Sequence, residues 1–164
     1  MTRTLILMRH AKSSWEDPYL SDFERPLNTR GQRSAKVLGD WLRAQDLLPD
    51  QVISSSSTRT GETFEGLALD IRPTFTRALY HAGPGTIWDV LAQATGHCVL
   101  LLGHNPGFAE FAEQVVDTAP DHDRFWDYPT GATLVVQLPI DSWANARPGQ
   151  GRATHFVTPR ELVS

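Results

Sequence analysis

Short apolar runs alternate with longer amphipathic segments along this chain. The runs at residues 5–8, 52–53 and 99–102 have the length and residue types of buried strands. Between the first two runs, apolar residues recur at helical spacing over residues 35–42. This alternation predicts an α/β fold in which helices cover a mainly parallel sheet.

Further elements continue the alternation. The pattern Thr29-x-x-Gln32 resembles a capping box and predicts a helix start there. Residues 117–131 are polar and contain proline and aromatic side chains, which indicates a long surface loop near the site. The remaining predicted elements are a helix at 58–67, a short strand at 72–76, a helix introduced by Pro84, a strand at 97–102, a helix starting at Asn105 and Pro106, and closing strands at 132–138 and 153–157.

Three of the apolar runs end in side chains that suit an anion. The first ends at Arg9 and His10, the second reaches Arg59 through a serine run, and the third runs into residues 103–106, which read Gly-His-Asn-Pro. Ligands of open α/β sheets bind at the carboxyl edge of the strands, and helix N-termini there carry unpaired amides and partial positive charge. We therefore expect the three segments to converge on one phosphate dianion.

These phrases, in this order, resemble the histidine phosphatase superfamily, which includes the cofactor-dependent phosphoglycerate mutases. The resemblance spans nearly the whole chain and implies a three-layer α/β/α fold with a phosphoglycerate-mutase-like, mainly parallel central sheet. The small size favours the phosphohistidine phosphatase (SixA-type) branch. The residues that carry the resemblance are Arg9-His10 with Ser13 and Trp15, Arg25-Pro26-Leu27-Asn28 with Gly31, Ser57-Thr58-Arg59-Thr60 with Glu62-Thr63, Gly103-His104-Asn105-Pro106, and Tyr128-Pro129-Thr130-Gly131.

The resemblance implies a role for four residues. His10 would attack phosphorus as a neutral imidazole, and Arg9 and Arg59 would hold the phosphoryl oxygens with paired donors. His104 would stabilise the developing negative charge as a cation. Each has a simpler alternative: a histidine at a strand end is often bonded to backbone, and Arg59 would otherwise form a weak surface ion pair with a nearby glutamate.

Two further positions are candidate substrate contacts. Ser13 matches a phosphate-contact position of the family, although its hydroxyl would equally cap a turn. The general acid of mutases and many ester hydrolases corresponds here to residues 77–81, which contain no carboxylate. Asp89 is close to these residues in sequence, but the pattern Thr86-x-x-Asp89 resembles a capping pair at the start of a helix, which is a structural role. His81 either protonates a leaving group or lines the substrate site.

The missing carboxylate bears on the substrate. An imidazole leaving from phosphohistidine needs less acid assistance than an alkoxide, because its nitrogen has a pKa near neutrality. We therefore predict a phosphatase that forms a covalent phosphohistidine on His10 and dephosphorylates phosphohistidine in proteins. The alternatives are a small-molecule phosphomonoester phosphatase, a mutase, and a phosphate-binding module without turnover.

Composition limits the other classes. The 164 residues are 40% hydrophobic, which suits one domain over residues 1–164, and a formal net charge of −4 with scattered basic residues argues against nucleic-acid or anionic-membrane partners. Lys12 and Arg25 would either add peripheral positive charge or be solvated.

Cys98 is the single cysteine, and no metal-ligand spacing or glycine-rich phosphate loop is present, so we expect no metal and no cofactor. No run approaches membrane-spanning length, so we expect a cytoplasmic protein. The oligomeric state stays open.

Overall fold

Six strands form one sheet in the computed structural model, which describes residues 1–163. The strands are β1 (Arg3–Arg9), β2 (Gln51–Ser55), β3 (Thr74–Thr76), β4 (Cys98–Gly103), β5 (Thr133–Leu138) and β6 (Arg152–Val157). The helices are α1 (Thr29–Ala44), α2 (Thr58–Leu67), α3 (Pro84–Ala92), α4 (Gly107–Val115) and α5 (Pro159–Leu162).

The sheet has the order β3-β2-β4-β1-β5-β6. β3, β2, β4 and β1 run parallel, while β5 and β6 are antiparallel additions at one edge. The expectation of a mainly parallel sheet is therefore confirmed. β1 and β4 lie side by side in the middle, where the register joins Arg9 to Gly103 and brings the two carboxyl ends level.

Side chains of the central strands alternate between two buried faces. In β1, Leu5 and Leu7 enter one hydrophobic cluster with Ile87 of α3 and Phe111 of α4. Ile6 and Met8 enter a second cluster, which contains residues of α1 and α2 and has Leu162 of α5 packed against it. Because both sheet faces are covered by helices, the three-layer α/β/α arrangement is confirmed.

Helix starts differ from the predictions by a few residues. The N-cap of α1 is Asn28, whose Oδ1 accepts a hydrogen bond from the Gly31 amide at 2.8 Å, so the capping box predicted at Thr29 is wrong by one residue. Helix α3 begins after Gly83 without a side-chain cap, so Thr86 and Asp89 do not form the predicted pair. Helix α4 begins at Gly107, one residue beyond Pro106.

The long loop before β5 contributes to the core as well as to the surface. Phe125 and Tyr128 are fully buried, and the Tyr128 hydroxyl donates to the Leu7 carbonyl and accepts from the Leu134 amide. These bonds tie the loop to β1 and β5, so residues that looked like surface loop position the edge of the sheet.

Membrane-spanning helices and clustered metal ligands are both absent from the part of the chain that the structure describes. No helix of residues 1–163 is long and apolar enough to cross a membrane. Over the same range, the histidine, cysteine and acidic side chains form no group of three or more that could hold a metal ion.

Candidate active site

The carboxyl ends of β1, β2 and β4 border a cavity of about 250 Å³. The first turn of α2 enters from the side and adds one arginine. All six residues proposed from the sequence line this cavity: Arg9, His10, Ser13, Arg59, His81 and His104. The three chain segments that were expected to converge are therefore brought to one place.

His10 is held in a defined tautomer. Its Nδ1 lies 2.7 Å from the Ala11 carbonyl oxygen, and a carbonyl only accepts, so Nδ1 carries the proton and Nε2 keeps its lone pair. Burial, together with the charges of Arg9, Arg59 and Arg25, lowers the pKa of His10 to about 3, against the opposing effect of the Ala11 bond. At neutral pH the side chain is therefore an uncharged imidazole with a free nitrogen.

His104 faces His10 across the cavity, with 5.3 Å between the ring centroids. Its Nε2 lies 2.9 Å from the Ser55 hydroxyl, which also accepts the Ser57 amide, so the hydroxyl proton is available to Nε2. Burial and nearby positive charges lower the pKa of His104 to about 2. The expected cation is therefore disfavoured, because the cost of burying the charge exceeds the favourable effect of Asp22.

Arg59 is buried against Asp22, a residue that the sequence analysis did not identify. Its Nη1 donates to the Asp22 carbonyl at 2.6 Å and its Nη2 to Asp22 Oδ2 at 3.0 Å. Within residues 1–163 this is its ion pair, and Glu62 instead accepts the Leu27 amide. The surface ion pair considered from the sequence is therefore wrong for Arg59.

Arg25 is a buried part of the same cavity rather than a solvated side chain. It donates to the Ser13 hydroxyl and to Asp22 Oδ1, and its guanidinium carbon lies 3.7 Å from the centre of the Trp15 ring. Only 8% of Arg25 is exposed. The expectation of peripheral or solvated charge is corrected for this residue, while Lys12 is exposed at the rim.

Asp22 organises the cations of the site. Burial opposes its ionisation, but hydrogen bonds from Tyr80, Arg25 and Arg59 outweigh that effect and hold its pKa well below the usual range. Asp22 lies in a single 3₁₀ turn, capped by Ser21, within an otherwise irregular stretch. No periodicity or motif in the sequence distinguished it, because two of its partners, Arg59 and Tyr80, come from distant segments.

His81 occupies the open side of the cavity. Its Nε2 is 3.2 Å from Asp22 Oδ2, its ring stacks on Tyr80 at 4.1 Å, and about half of its side chain is exposed. Asp89 lies on the exposed surface of α3 and does not line the cavity. Of the two candidate proton donors considered from the sequence, His81 lines the cavity and Asp89 does not.

Four buried nitrogen atoms around the cavity have no hydrogen-bond partner among the described residues. They are the Nε atoms of Arg9, Arg25 and Arg59 and the Nδ1 atom of His104. Buried polar groups are nearly always paired, and an unpaired one is costly. All four belong to residues that line one small cavity, so a tetrahedral oxyanion, which offers acceptors on every side, suits this set.

The chain belongs to the histidine phosphatase superfamily, branch 1, whose sequence profile matches residues 5–106. An uncharacterized protein of Mycobacterium tuberculosis (strain ATCC 25618 / H37Rv) is 32% identical over 160 residues, which cover 93% of this chain and 100% of that protein. Members of this superfamily are generally metal-independent phosphatases.

Solved structures agree with this assignment. A protein provisionally named phosphohistidine phosphatase SixA, from Nakamurella multipartitia, superimposes with a TM-score of 0.86 at 26% identity and covers 97% of both chains. A protein histidine phosphatase SixA complexed with tungstate superimposes with a TM-score of 0.78 at 20% identity, over 97% of this chain and 99% of that one. The phosphoglycerate-mutase-like α/β fold is therefore confirmed.

Proposed function

We propose that this protein is a phosphatase that transfers a phosphoryl group from phosphohistidine in a partner protein to His10 and then to water. The observation that carries the proposal is the tautomer of His10, whose protonated Nδ1 leaves a neutral Nε2 beside four unpartnered donors. A nucleophile of this kind needs no base to activate it. The donors supply the electrostatic stabilisation that phosphoryl transfer requires.

The first step is an in-line displacement at phosphorus. His10 Nε2 forms a bond to phosphorus while the bond to the substrate's imidazole nitrogen breaks, and the leaving nitrogen takes a proton from His81 or from solvent. Arg9 and Arg59 bind the phosphoryl oxygens, and Ser13 contributes its hydroxyl. A bound dianion offsets the burial cost at His104, so its pKa rises and the expected cation becomes favourable.

The second step releases phosphate. Water attacks phosphorus, the bond to His10 Nε2 breaks, and the proton of the attacking water passes to His81 or to solvent. The site already holds three arginines, which can neutralise the phosphoryl oxygens without a metal ion.

The substrate class follows from the acids that the site contains. Asp22 is the carboxylate in the cavity, and because its pKa is held low it is ionised at neutral pH and has no proton to give. General acid catalysis contributes about 10²–10⁴-fold when an alkoxide leaves. A phosphoramidate such as phosphohistidine loses less by its absence. The second candidate, a small-molecule ester phosphatase, rests on His81, whose Nε2 lies 3.2 Å from Asp22 Oδ2 and whose side chain is open to solvent.

The test is trapping of the phosphoenzyme. The native protein, incubated with a phosphohistidine peptide, should form an acid-labile, alkali-stable phosphoenzyme and release phosphate. His10→Ala should form none and lose at least about 10³-fold in kcat/KM. His97→Ala, a change at an exposed histidine outside the cavity, serves as the matched control. Normal turnover by His10→Ala would contradict the mechanism.

A substrate panel separates the candidates. We expect a higher kcat/KM for phosphohistidine peptides than for sugar phosphates. A preference for esters would favour the small-molecule phosphatase, and transfer to an added acceptor instead of water would favour a mutase. Binding of tungstate without any turnover would identify a phosphate-binding module.

A further inference from the structure

A second and larger cavity adjoins the cavity around His10, which we call the phosphate cavity because we propose that it holds the phosphoryl group. Its volume is about 630 Å³, and Lys12 and Thr130 line both cavities. We call it the basic groove, because its lining includes the basic side chains of Lys12, Arg30, Arg33, Arg124 and Arg160. These five residues come from four separate segments: the stretch after β1, helix α1, the loop before β5, and helix α5.

The basic groove concentrates positive charge in a protein whose net charge is −4. Among residues 1–163, those that line it include no acidic residue. Within residues 1–163, Arg124 is the groove residue that has a carboxylate partner, which is Asp127, and the other four basic side chains are exposed without one. Like charges placed together in a cleft repel one another and attract an anion of opposite charge.

The position of two of these arginines on α1 opposes helix stability. Arg30 and Arg33 lie in the first two turns of α1, and the first turn contains no acidic residue. The N-terminus of a helix carries partial positive charge, so acidic residues are favoured there and basic residues are disfavoured. Neither arginine has a hydrogen-bond partner within the described chain that would offset this cost. Departures from local preferences of this kind, here for acidic residues at a helix N-terminus, are expected at functional sites.

We propose that the basic groove binds acidic side chains that lie next to the phosphohistidine of the partner protein. This inference rests on the proposed function and adds the substrate's charge pattern to it. Arginine pairs with carboxylates through two parallel hydrogen bonds, and the groove presents four arginines. Pro129 and Pro159 lie among them and provide apolar wall for the methylene groups of acidic side chains.

The size of the basic groove favours a peptide over a single small anion. Its volume of about 630 Å³ compares with about 250 Å³ for the phosphate cavity, which is large enough for one phosphoryl group. The shared Lys12 and Thr130 place the two cavities side by side. A chain that presents its phosphohistidine to His10 can therefore extend directly into the groove.

The experiment compares two phosphohistidine peptides of equal length, one with glutamates flanking the phosphohistidine and one with glutamines. For the native protein at low ionic strength, the kcat/KM ratio should be about tenfold in favour of the acidic peptide. The ratio should fall toward one at high salt, because salt screens charges at an exposed groove. Equal kcat/KM values for the two peptides at low ionic strength, with inorganic triphosphate inhibiting the hydrolysis of both to the same extent, would overturn the peptide assignment.

The groove is tested with Arg30→Gln/Arg33→Gln, and Arg72→Gln is the matched control. Arg72 is an exposed arginine before β3, outside the groove. The groove variant should bring the acidic-to-neutral ratio to about one, and the control should keep the native ratio. Because the two arginines oppose the helix dipole, the groove variant should unfold at the same or a higher temperature than the native protein.

The outcomes separate this inference from the proposed function. If the native protein hydrolyses both peptides equally at low salt, the groove proposal fails while the phosphatase proposal stands. If neither peptide is hydrolysed, the proposed function fails. A groove variant that loses thermal stability and keeps the native ratio would show that the arginines are structural, and would also overturn the groove proposal.

Discussion

At the scale of single residues, the site is built on side chains that hold one another. Arg59 was recognised from a motif, but its geometry depends on Asp22, which no motif marked. The side chain of Arg59 is 3% exposed, so Asp22 supplies the charge that makes its burial tolerable in the empty site. A phosphoryl dianion can take over this role, which makes Asp22 and the substrate competing partners for one guanidinium.

This competition gives a prediction for Asp22→Asn. Losing the carboxylate leaves Arg59 and Arg25 without their ion pair, so the protein without added anion should lose roughly 1–2 kcal/mol of unfolding free energy, less than a fully buried pair because Asp22 is partly exposed to solvent. Added tungstate should then raise the melting temperature more in the variant than in the native protein. Thermal unfolding with and without tungstate measures both effects.

Asp40→Asn is the control for this prediction. Asp40 pairs with Lys36 and Arg43 on the exposed side of α1, away from the cavity. Its replacement should leave the tungstate-induced shift at the native value. An equal or smaller shift in Asp22→Asn than in the native protein would show that Asp22 does not occupy the place of the anion.

At the scale of elements, the two helices on one sheet face approach each other closely. A Cβ atom at Gly39 of α1 would overlap the backbone carbonyl of Leu67 at the end of α2, so only glycine permits this contact. The pairing matters for the site because α2 carries Arg59 in its first turn. The sequence predicted both helices, and for α2 it predicted both ends correctly. The distance between the two helices depends on how they pack together at Gly39 and Leu67, and the pattern of either helix alone does not determine it.

A pair of glycine substitutions tests this contact. Gly39→Ala should destabilise the protein by about 1–3 kcal/mol despite the better helix propensity of alanine, because the added methyl group forces backbone apart. Gly85→Ala in α3 should stabilise it by about 0.5 kcal/mol, since a Cβ atom there meets no atom within 4 Å. Denaturant unfolding gives both values. Equal effects at the two positions would contradict the close approach.

At the scale of the whole molecule, two uncharged histidines are buried beneath the same cavity. Burial lowers the pKa of His10 to about 3 and of His104 to about 2, from 6.5 for the free side chain. The unfolded chain therefore binds protons that the folded protein does not as the pH falls below 6.5. The stability is fully present above that value and is lost progressively toward the folded pKa values.

The unfolding free energy should therefore fall as the pH falls below 6.5. Between about pH 7 and about pH 5, each of the two histidines should cost roughly 1–2 kcal/mol of unfolding free energy. His10→Gln and His104→Gln should each reduce that slope. Urea unfolding at both pH values measures the slopes. An unchanged slope in both buried variants would mean that neither histidine is held neutral.

The sequence by itself determined the periodic elements and the residue types at their ends. Strand and helix patterns depend on local spacing, so β1, α2 and β4 could be predicted with their boundaries nearly correct. Arg9, His10, Arg59 and His104 could be predicted because each directly follows or begins such an element.

Only the tertiary structure decided how these residues act together. The carboxylate of Asp22 between three chain segments, the burial of Arg25 and the concentration of cations in the basic groove depend on contacts between residues far apart in sequence. The tautomer of His10 depends on the backbone conformation that brings the neighbouring Ala11 carbonyl to Nδ1. Hydrogen bonding, desolvation and charge coupling act through space, and the spacing of residues along the chain does not encode those distances.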